Sequence, residues 1–286
     1  MPPMMTLDLF GSNEPLSSIR NLVMTPKSPL SRRDVLRASA FAGGLAAVSL
    51  PDTALPAAEA NDELATRAVM EFRARAERRR LADGEVLAKQ ETALIIVDMM
   101  NLFCDPEWMS GGNSHEKNRL QGEFSRIIPN LQRTLAAFRQ TGALVVHAMN
   151  AKWTHAGRDV VAYQRGRDYD LFDSEKMSII DALQPIPGEI QVRKVTSSAF
   201  TATGLDFLLN NAGIRNVVLS GQYGNACVFY SLIQSREFGF NNYWLEDAML
   251  YGNESSRAVF EPMVGAQWAR LTTTRNIIRA LQERPS

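Results

Sequence analysis

Four short runs of apolar residues organise this chain: Ala93-Leu-Ile-Ile-Val-Asp98, Ala143-Leu-Val-Val-His-Ala148, Asn216-Val-Val-Leu-Ser220 and Asn242-Tyr-Trp-Leu-Glu-Asp247. The first two lack the strict alternation of a half-exposed strand, which predicts buried strands, and the other two read as further strands. Glu189-Ile-Gln-Val-Arg-Lys194 predicts a further strand, and Ala269 to Thr273 a short edge strand. Between them the period changes to that of helices, over residues 62–81, 124–140, 204–212, 227–238 and 254–268. In the first of these, Leu64, Ala68, Phe72 and Ala76 recur every four residues amid arginines, which predicts a solvated N-terminal helix. The alternative, an arm lying on a sister subunit, accompanies the expectation of a homo-oligomer. Residues 150–188 break the pattern and read as an insertion or lid carrying Trp153, Tyr163, Tyr169 and Phe172. Strands alternating with helices predict a parallel sheet covered on both faces.

Upstream of residue 60 the pattern differs. Arg32-Arg33 precedes an uncharged stretch from Ala38 to Leu50, followed by Ala58-Glu59-Ala60. The stretch is too short and too rich in Ala and Gly to serve as a membrane anchor. This order resembles a twin-arginine signal peptide. The expectations are translation from Met24, cleavage after Ala60, export by the twin-arginine machinery to the periplasm, and no membrane anchor after cleavage. Residues 1–60 are then leader and signal, 61–90 an N-terminal helix and linker, and 91–286 one catalytic domain.

Composition changes little in this picture. The 286 residues are 45% hydrophobic and 22% charged, which suits an ordinary globular protein. Lys plus Arg (31) equals Asp plus Glu (31), and five of each sign fall in the first sixty residues, so the remainder is also neutral. That balance offers no electrostatic case for a nucleic-acid partner. Two cysteines cannot build a disulfide framework or a four-thiolate zinc site. His115, His147 and His155 have no ligand spacing, so no metal is expected. Neither G-x-G-x-x-G nor G-x-S-x-G occurs, so no nucleotide cofactor and no serine nucleophile is expected.

The candidate chemistry lies at strand ends. In an open α/β sheet, ligands bind beyond the carboxyl ends of the strands, and Asp98, Lys194 and Cys227 all fall there. Cys227 follows a glycine-punctuated turn and opens a helix, where the helix dipole and a nearby ammonium would favour a thiolate. A carboxylate within reach could take the thiol proton and later activate water.

Three stretches around these residues resemble the isochorismatase-like cysteine hydrolases, a family that includes nicotinamidases, N-carbamoylsarcosine amidases, ureidoacrylate amidohydrolases and biuret hydrolases. They are Leu94-Ile-Ile-Val-Asp98-Met-Met-Asn101-Leu-Phe103-Cys104, Lys194-Val-Thr-Ser-Ser198-Ala199-Phe200 and Gly221-Gln-Tyr-Gly-Asn-Ala-Cys227-Val228. The resemblance covers nearly all of residues 90–275. It implies a Rossmann-like αβα sandwich of three layers on a mainly parallel, six-stranded sheet. It further implies Cys227 as nucleophile, Asp98 as general base and Lys194 as the cation that orients and activates both. A cis peptide at Gln222–Tyr223 and an oxyanion hole from the N–H groups of Tyr223 and Cys227 are implied as well. The implied activity is hydrolysis of an amide, ureido or carbamoyl bond of a small molecule through a thioester. Isochorismatase-type hydrolysis of a vinyl ether, or a thiol, redox or binding protein on the same fold, are the alternatives. Phe103, Trp153, Ser198, Phe200 and Tyr223 are the candidates for the pocket wall, and Arg158, Arg165 or Arg167 for pairing with a substrate carboxylate. Cys104 reads as a bystander. The sequence departs from the family at Gly224, where many members carry Thr, and lacks the Asp-x-His metal motif of nicotinamidases.

Overall fold

The computed structural model describes residues 55–105, 107–108, 114–165 and 174–282, except the side chains of residues 55–62 and 114–118. The twin arginines and the apolar stretch of the expected signal lie outside this range. Ala58 to Ala60 falls within helix α1 (Leu55–Arg78), which begins earlier than the apolar periodicity predicts.

Six strands form one sheet: β1 (Thr92–Val97), β2 (Leu144–Asn150), β3 (Ile190–Lys194), β4 (Asn216–Gly221), β5 (Asn241–Met249) and β6 (Arg270–Thr272). Their order is β3-β2-β1-β4-β5-β6, and every pairing is parallel. The order reverses between β1 and β4, so a crevice opens there beyond their carboxyl ends.

Alternation along β1 explains the layers. Leu94 and Ile96 join one apolar cluster, while Ala93, Ile95 and Val97 join the other. The first cluster is completed by α3 (Ser114–Thr141), through Ile127, Leu131, Leu135 and Phe138, and by α7 (Thr274–Gln282), through Ile277 and Leu281. The second is completed by α4 (Leu205–Asn211), α5 (Cys227–Glu237) and α6 (Glu254–Gln267), through Leu209, Leu232 and Val264. Burying each Leu, Ile or Val contributes roughly 1.5–3 kcal/mol, which makes these two sandwiched clusters the main stabilising term. The remaining helix, α2 (Asn101–Cys104), is a single turn directly after β1.

The sequence pattern misses three features. Helix α3 begins ten residues before the apolar run that announces it, because Leu120 is the single large apolar residue of its first ten positions. Helix α7, whose apolar positions are Ile277, Ile278 and Leu281, follows the edge strand where the pattern predicts no element. Helix α1 is only partly solvated. Its outer residues Leu64 and Met70 are exposed, yet Ala76 is buried against α6, where Gly265 leaves space for it. Just past α1, Arg80 donates through Nη1 and Nη2 to Glu246 of β5, at 2.6 and 2.9 Å, which reinforces that docking.

Among the described residues, the stretch after β2 contains three short 3-10 turns, at Ala162–Gln164, Glu175–Met177 and Asp181–Leu183. Its second half is tied beneath the site. Met100 and Ile179 form an antiparallel bridge, Asn101 N–H donates to Ser178 O, and Ile180 N–H donates to Met99 O.

Candidate active site

Strand register brings the candidate residues together. Asn150 at the end of β2 pairs with Lys194 at the end of β3, and Val97 pairs with Gly221 across the β1/β4 crevice. Asp98 follows Val97 with a left-handed φ of 56°, a conformation that Asp tolerates better than most residues. This turn directs its carboxylate to the strand ends. Asn150 N–H donates to Asp98 Oδ1 at 3.1 Å and Lys194 Nζ to Oδ2 at 2.9 Å, while Gln222 Nε2 holds the Asp98 carbonyl at 2.7 Å.

Gly221 makes this proximity possible. Its φ is 105°, and a Cβ there would lie 2.2 Å from the Val97 carbonyl oxygen. No side chain fits, so β1 and β4 approach at this point only through glycine. The peptide bond between Gln222 and Tyr223 is cis. The turn continues through Gly224, whose N–H donates to Leu250 O at 2.7 Å, and delivers Cys227 to the first position of α5. The first N–H groups of a helix have no partner within it, so the Cys227 N–H points away from the helix body.

A cavity of about 140 Å³ opens over this turn. Asp98, Phe103, Tyr223 and Cys227 line it, as do Asn150, Tyr163, Gln164 and Gln222. Lys194 sits wholly buried behind Asp98. Cys227 and Asp98 line the same cleft, close enough that the charges of Asp98 and Lys194 both act on the thiol.

The electrostatics correct one expectation. Burial, and then the charge of Asp98, push the Cys227 thiol up to about 12, and the opposing Lys194 ammonium is too weak to reverse them. The resting group is therefore a thiol, not the thiolate that helix dipole and ammonium alone would favour. Burial also raises the Asp98 carboxyl above its ordinary range, against the pull of Lys194. Cys104 is a second free thiol; burial raises it too, and it accepts a hydrogen bond from Gln222 Nε2 at 3.4 Å.

The other sequence candidates lie elsewhere. Phe200 is buried, its ring packed at a tilt against Phe238 and Phe240 with centroids 5.8 and 6.2 Å away. Ser198 is buried too, and its Oγ accepts the Phe200 N–H at 3.1 Å. Ala199 N–H donates to Ser231 Oγ at 2.9 Å, which ties this segment to α5. The Ser-Ala-Phe segment thus anchors the loop after Lys194 and contributes no pocket wall. Trp153 is exposed and lies under the Arg193 guanidinium, 4.8 Å away, outside the cavity. Arg158 and Arg165 are exposed; Arg167, Tyr169 and Phe172 lie outside the described residues. His147 is buried against Glu189 at 3.0 Å, a structural pairing, while His155 is exposed. His115 belongs to the undescribed side chains. Asn150 and Gln222 escaped sequence reasoning although both lie at strand ends, where the rule used for Asp98 would have found them. Gln164 sits in a 3-10 turn of the insertion and carried no signal.

Asp98 and Cys227 thus lie at the switch point of a parallel sheet, with the Lys194 ammonium paired to Asp98 behind them. The chain belongs to the isochorismatase family: the model of the isochorismatase domain matches residues 92–276. It is 30% identical over 179 residues to the ureidoacrylate amidohydrolase RutB of Rhizobium rhizogenes, covering 57% of this chain and 71% of that one. To the protein of the same name from Agrobacterium fabrum it is 29% identical over 179 residues, covering 57% and 77%. These relatives indicate a hydrolase of carbon–nitrogen bonds. In fold it is similar to a cysteine hydrolase from Pseudomonas syringae, with a TM-score of 0.59, 20% identity and coverage of 68% and 93%. The same holds for N-carbamoylsarcosine amidase from Thermoplasma acidophilum, with a TM-score of 0.53, 22% identity and coverage of 64% and 96%.

Proposed function

We propose that this protein hydrolyses an amide, ureido or carbamoyl bond of a small molecule, with Cys227 as nucleophile, Asp98 as proton carrier and Lys194 as the cation that holds them in register. The observation that carries this reading is that Asp98 and Cys227 line one cleft, with Lys194 donating to the Asp98 carboxylate at 2.9 Å behind it. A thiol pushed to about 12 needs a base at the moment of attack, and Asp98 lines the same cleft.

Asp98 takes the thiol proton as Cys227 sulfur attacks the carbonyl carbon. The carbonyl electron pair moves to oxygen, and the N–H groups of Tyr223 and Cys227 stabilise the oxyanion. When the intermediate collapses, the C–N bond breaks and Asp98 gives its proton to the departing ammonia or amine. A water then attacks the thioester, Asp98 takes its proton, the C–S bond breaks, and the proton returns to Cys227 sulfur.

The discriminating experiment is ammonia release from a panel of small amides, ureas and carbamoyl compounds, with wild type beside Cys227→Ala. Turnover by wild type and none by a folded Cys227→Ala supports the assignment; equal turnover by both overturns it.

The twin-arginine motif at Arg32-Arg33 supports export to the periplasm, with the mature protein starting after Ala60. An N-terminus at Met1 on protein recovered from the periplasm, read by peptide mass spectrometry, would refute this. We propose a homo-oligomeric state as well, which light scattering tests directly.

A further inference from the structure

A cluster of arginines lies on the side of the sheet away from the cleft. Helix α6 ends at Gln267 and β6 begins at Arg270, so the end of α6 lies at the amino ends of the parallel strands, whereas the cleft lies beyond their carboxyl ends. Arg79, just past α1, donates through Nη1 to Gly265 O at 3.1 Å, and Arg236, in the last turn of α5, donates through Nη1 to Gln267 O at 3.1 Å. Arg270 donates through Nε to Arg79 O and through Nη2 to Arg80 O, each at 3.0 Å, which holds it against the same turn. Arg75 lies one turn before Arg79 on α1, and its charge acts on Arg79 together with those of Arg236 and Arg270.

The chain leaves these charges unbalanced. Glu85 pairs with Arg270, and the C-terminal end of α6 adds about half a negative charge. Against four guanidiniums this leaves about two and a half positive charges, or about one and a half once the exposed Glu237 beside Arg236 is counted. Arg75, Arg79 and Arg236 pair with no carboxylate among the described residues, Glu77 being taken up by Arg80. The carbonyl bonds of Arg79 and Arg236 each use a single N–H of a guanidinium that has several. Burial, and then the charges of Arg75, Arg236 and Arg270, push the Arg79 guanidinium below its ordinary value. Like charges held together without a counterion repel, and an anion seated among them reverses the sign of that term.

We infer that Arg75, Arg79 and Arg236, backed by Arg270, form a binding site for a phosphate group, free or carried on a lipid headgroup. A phosphate monoester carries about −1.5 to −2 at pH 7, which matches the surplus. Its tetrahedral oxygens can accept from guanidiniums on three sides, whereas a planar carboxylate suits a single fork. The bound group would join the end of α1 to α5 and α6, so that occupancy tightens the docking of α1 on the domain. The site stands apart from the hydrolytic cleft and does not depend on how Cys227 is used.

The test exposes the full-length protein to two probes at low salt, where screening is weak. Inorganic phosphate is titrated in a calorimeter, and vesicles of phosphatidylcholine, with and without phosphatidylglycerol, are sedimented with the protein. Saturable binding of inorganic phosphate assigns a free ligand; capture by the phosphatidylglycerol vesicles alone assigns a headgroup. In either case Arg75→Gln and Arg236→Gln should each weaken the interaction about tenfold, as expected for the loss of one charged hydrogen bond. Hydrogen exchange of residues 72–80 should slow when the probe is bound. Arg75 is exposed and engages no other side chain among the described residues, so Arg75→Gln should melt with wild type and decides the matter even where Arg236→Gln does not fold. Failure of both probes to bind at about 10 mM phosphate or saturating lipid overturns the inference. Binding that survives Arg75→Gln undiminished overturns it as well.

Discussion

Lys194 Nζ lies 2.9 Å from Asp98 Oδ2, with the two side chains 0 and 3% exposed, so an ion pair is closed off from water at the base of the cleft. Removing one member of such a pair leaves a buried charge and typically costs about 3–5 kcal/mol. Lys194→Met should therefore melt well below wild type at pH 8. The Asp98 carboxyl, already raised by burial, rises further without the ammonium. A raised carboxyl favours the folded state below its unfolded value and loses that contribution as pH climbs through the folded one. The deficit of the variant should accordingly shrink on acidification, which thermal melts between pH 4 and 8 would reveal. A deficit independent of pH would show that the pair carries no buried charge.

Proton transfer through Asp98 gives the reaction a characteristic acid limb. Because burial raises its carboxyl, kcat/KM should fall on acidification with a midpoint above the ordinary carboxylate value of 3.8. Asp98→Asn should lose roughly 10²–10⁴-fold in kcat/KM together with that limb. A pH–rate profile on both proteins decides this. An unchanged limb in Asp98→Asn would assign it to another group.

Gly224 faces the ring of Tyr251. A Cβ there would come within 2.6 Å of Tyr251 Cζ and 2.9 Å of Met249 Cγ. Tyr251 is itself fixed, buried and accepting the Trp244 Nε1–H at 3.0 Å. Gly224→Ala should therefore cost about 1–3 kcal/mol through overpacking. In a Tyr251→Ala background the same change should cost far less, so chemical denaturation of the four proteins should show a coupling of 1 kcal/mol or more. Simple additivity would mean that the ring is not what excludes a side chain here.

Glu261 on α6 is pushed up to about 7 by burial, against the attraction of Arg257, whose Nε lies 3.4 Å away. Its neutral form fits the fold best. The associated stability is present below its ordinary value of 4.5 and is lost as pH rises through about 7. The whole effect amounts to about 3 kcal/mol at most. Glu261→Gln should flatten the fall in melting temperature between pH 5 and 8; an unaltered slope would place the titrating group elsewhere.

Much of this molecule is written into short-range pattern. The runs at 93–98, 143–148 and 216–220 mark β1, β2 and β4 within a few residues, because strands buried on both faces must be apolar throughout. Asp98, Lys194 and Cys227 are legible for the same reason: a charged or nucleophilic residue at the end of such a strand has little structural purpose. Only the tertiary structure decided the rest. Strand order and register join Asn150 to Lys194 and Val97 to Gly221, and no local period encodes which strands become neighbours. Burial, which is a property of the assembled layers, turned Cys227 from an expected thiolate into a thiol near 12. It also moved Phe200 and Ser198 from the pocket wall into the support beneath Lys194, and brought Gln164 from a featureless insertion to the cavity. Sequence determines which groups are available for chemistry; long-range packing sets their solvation and mutual distance, and with those their protonation and use.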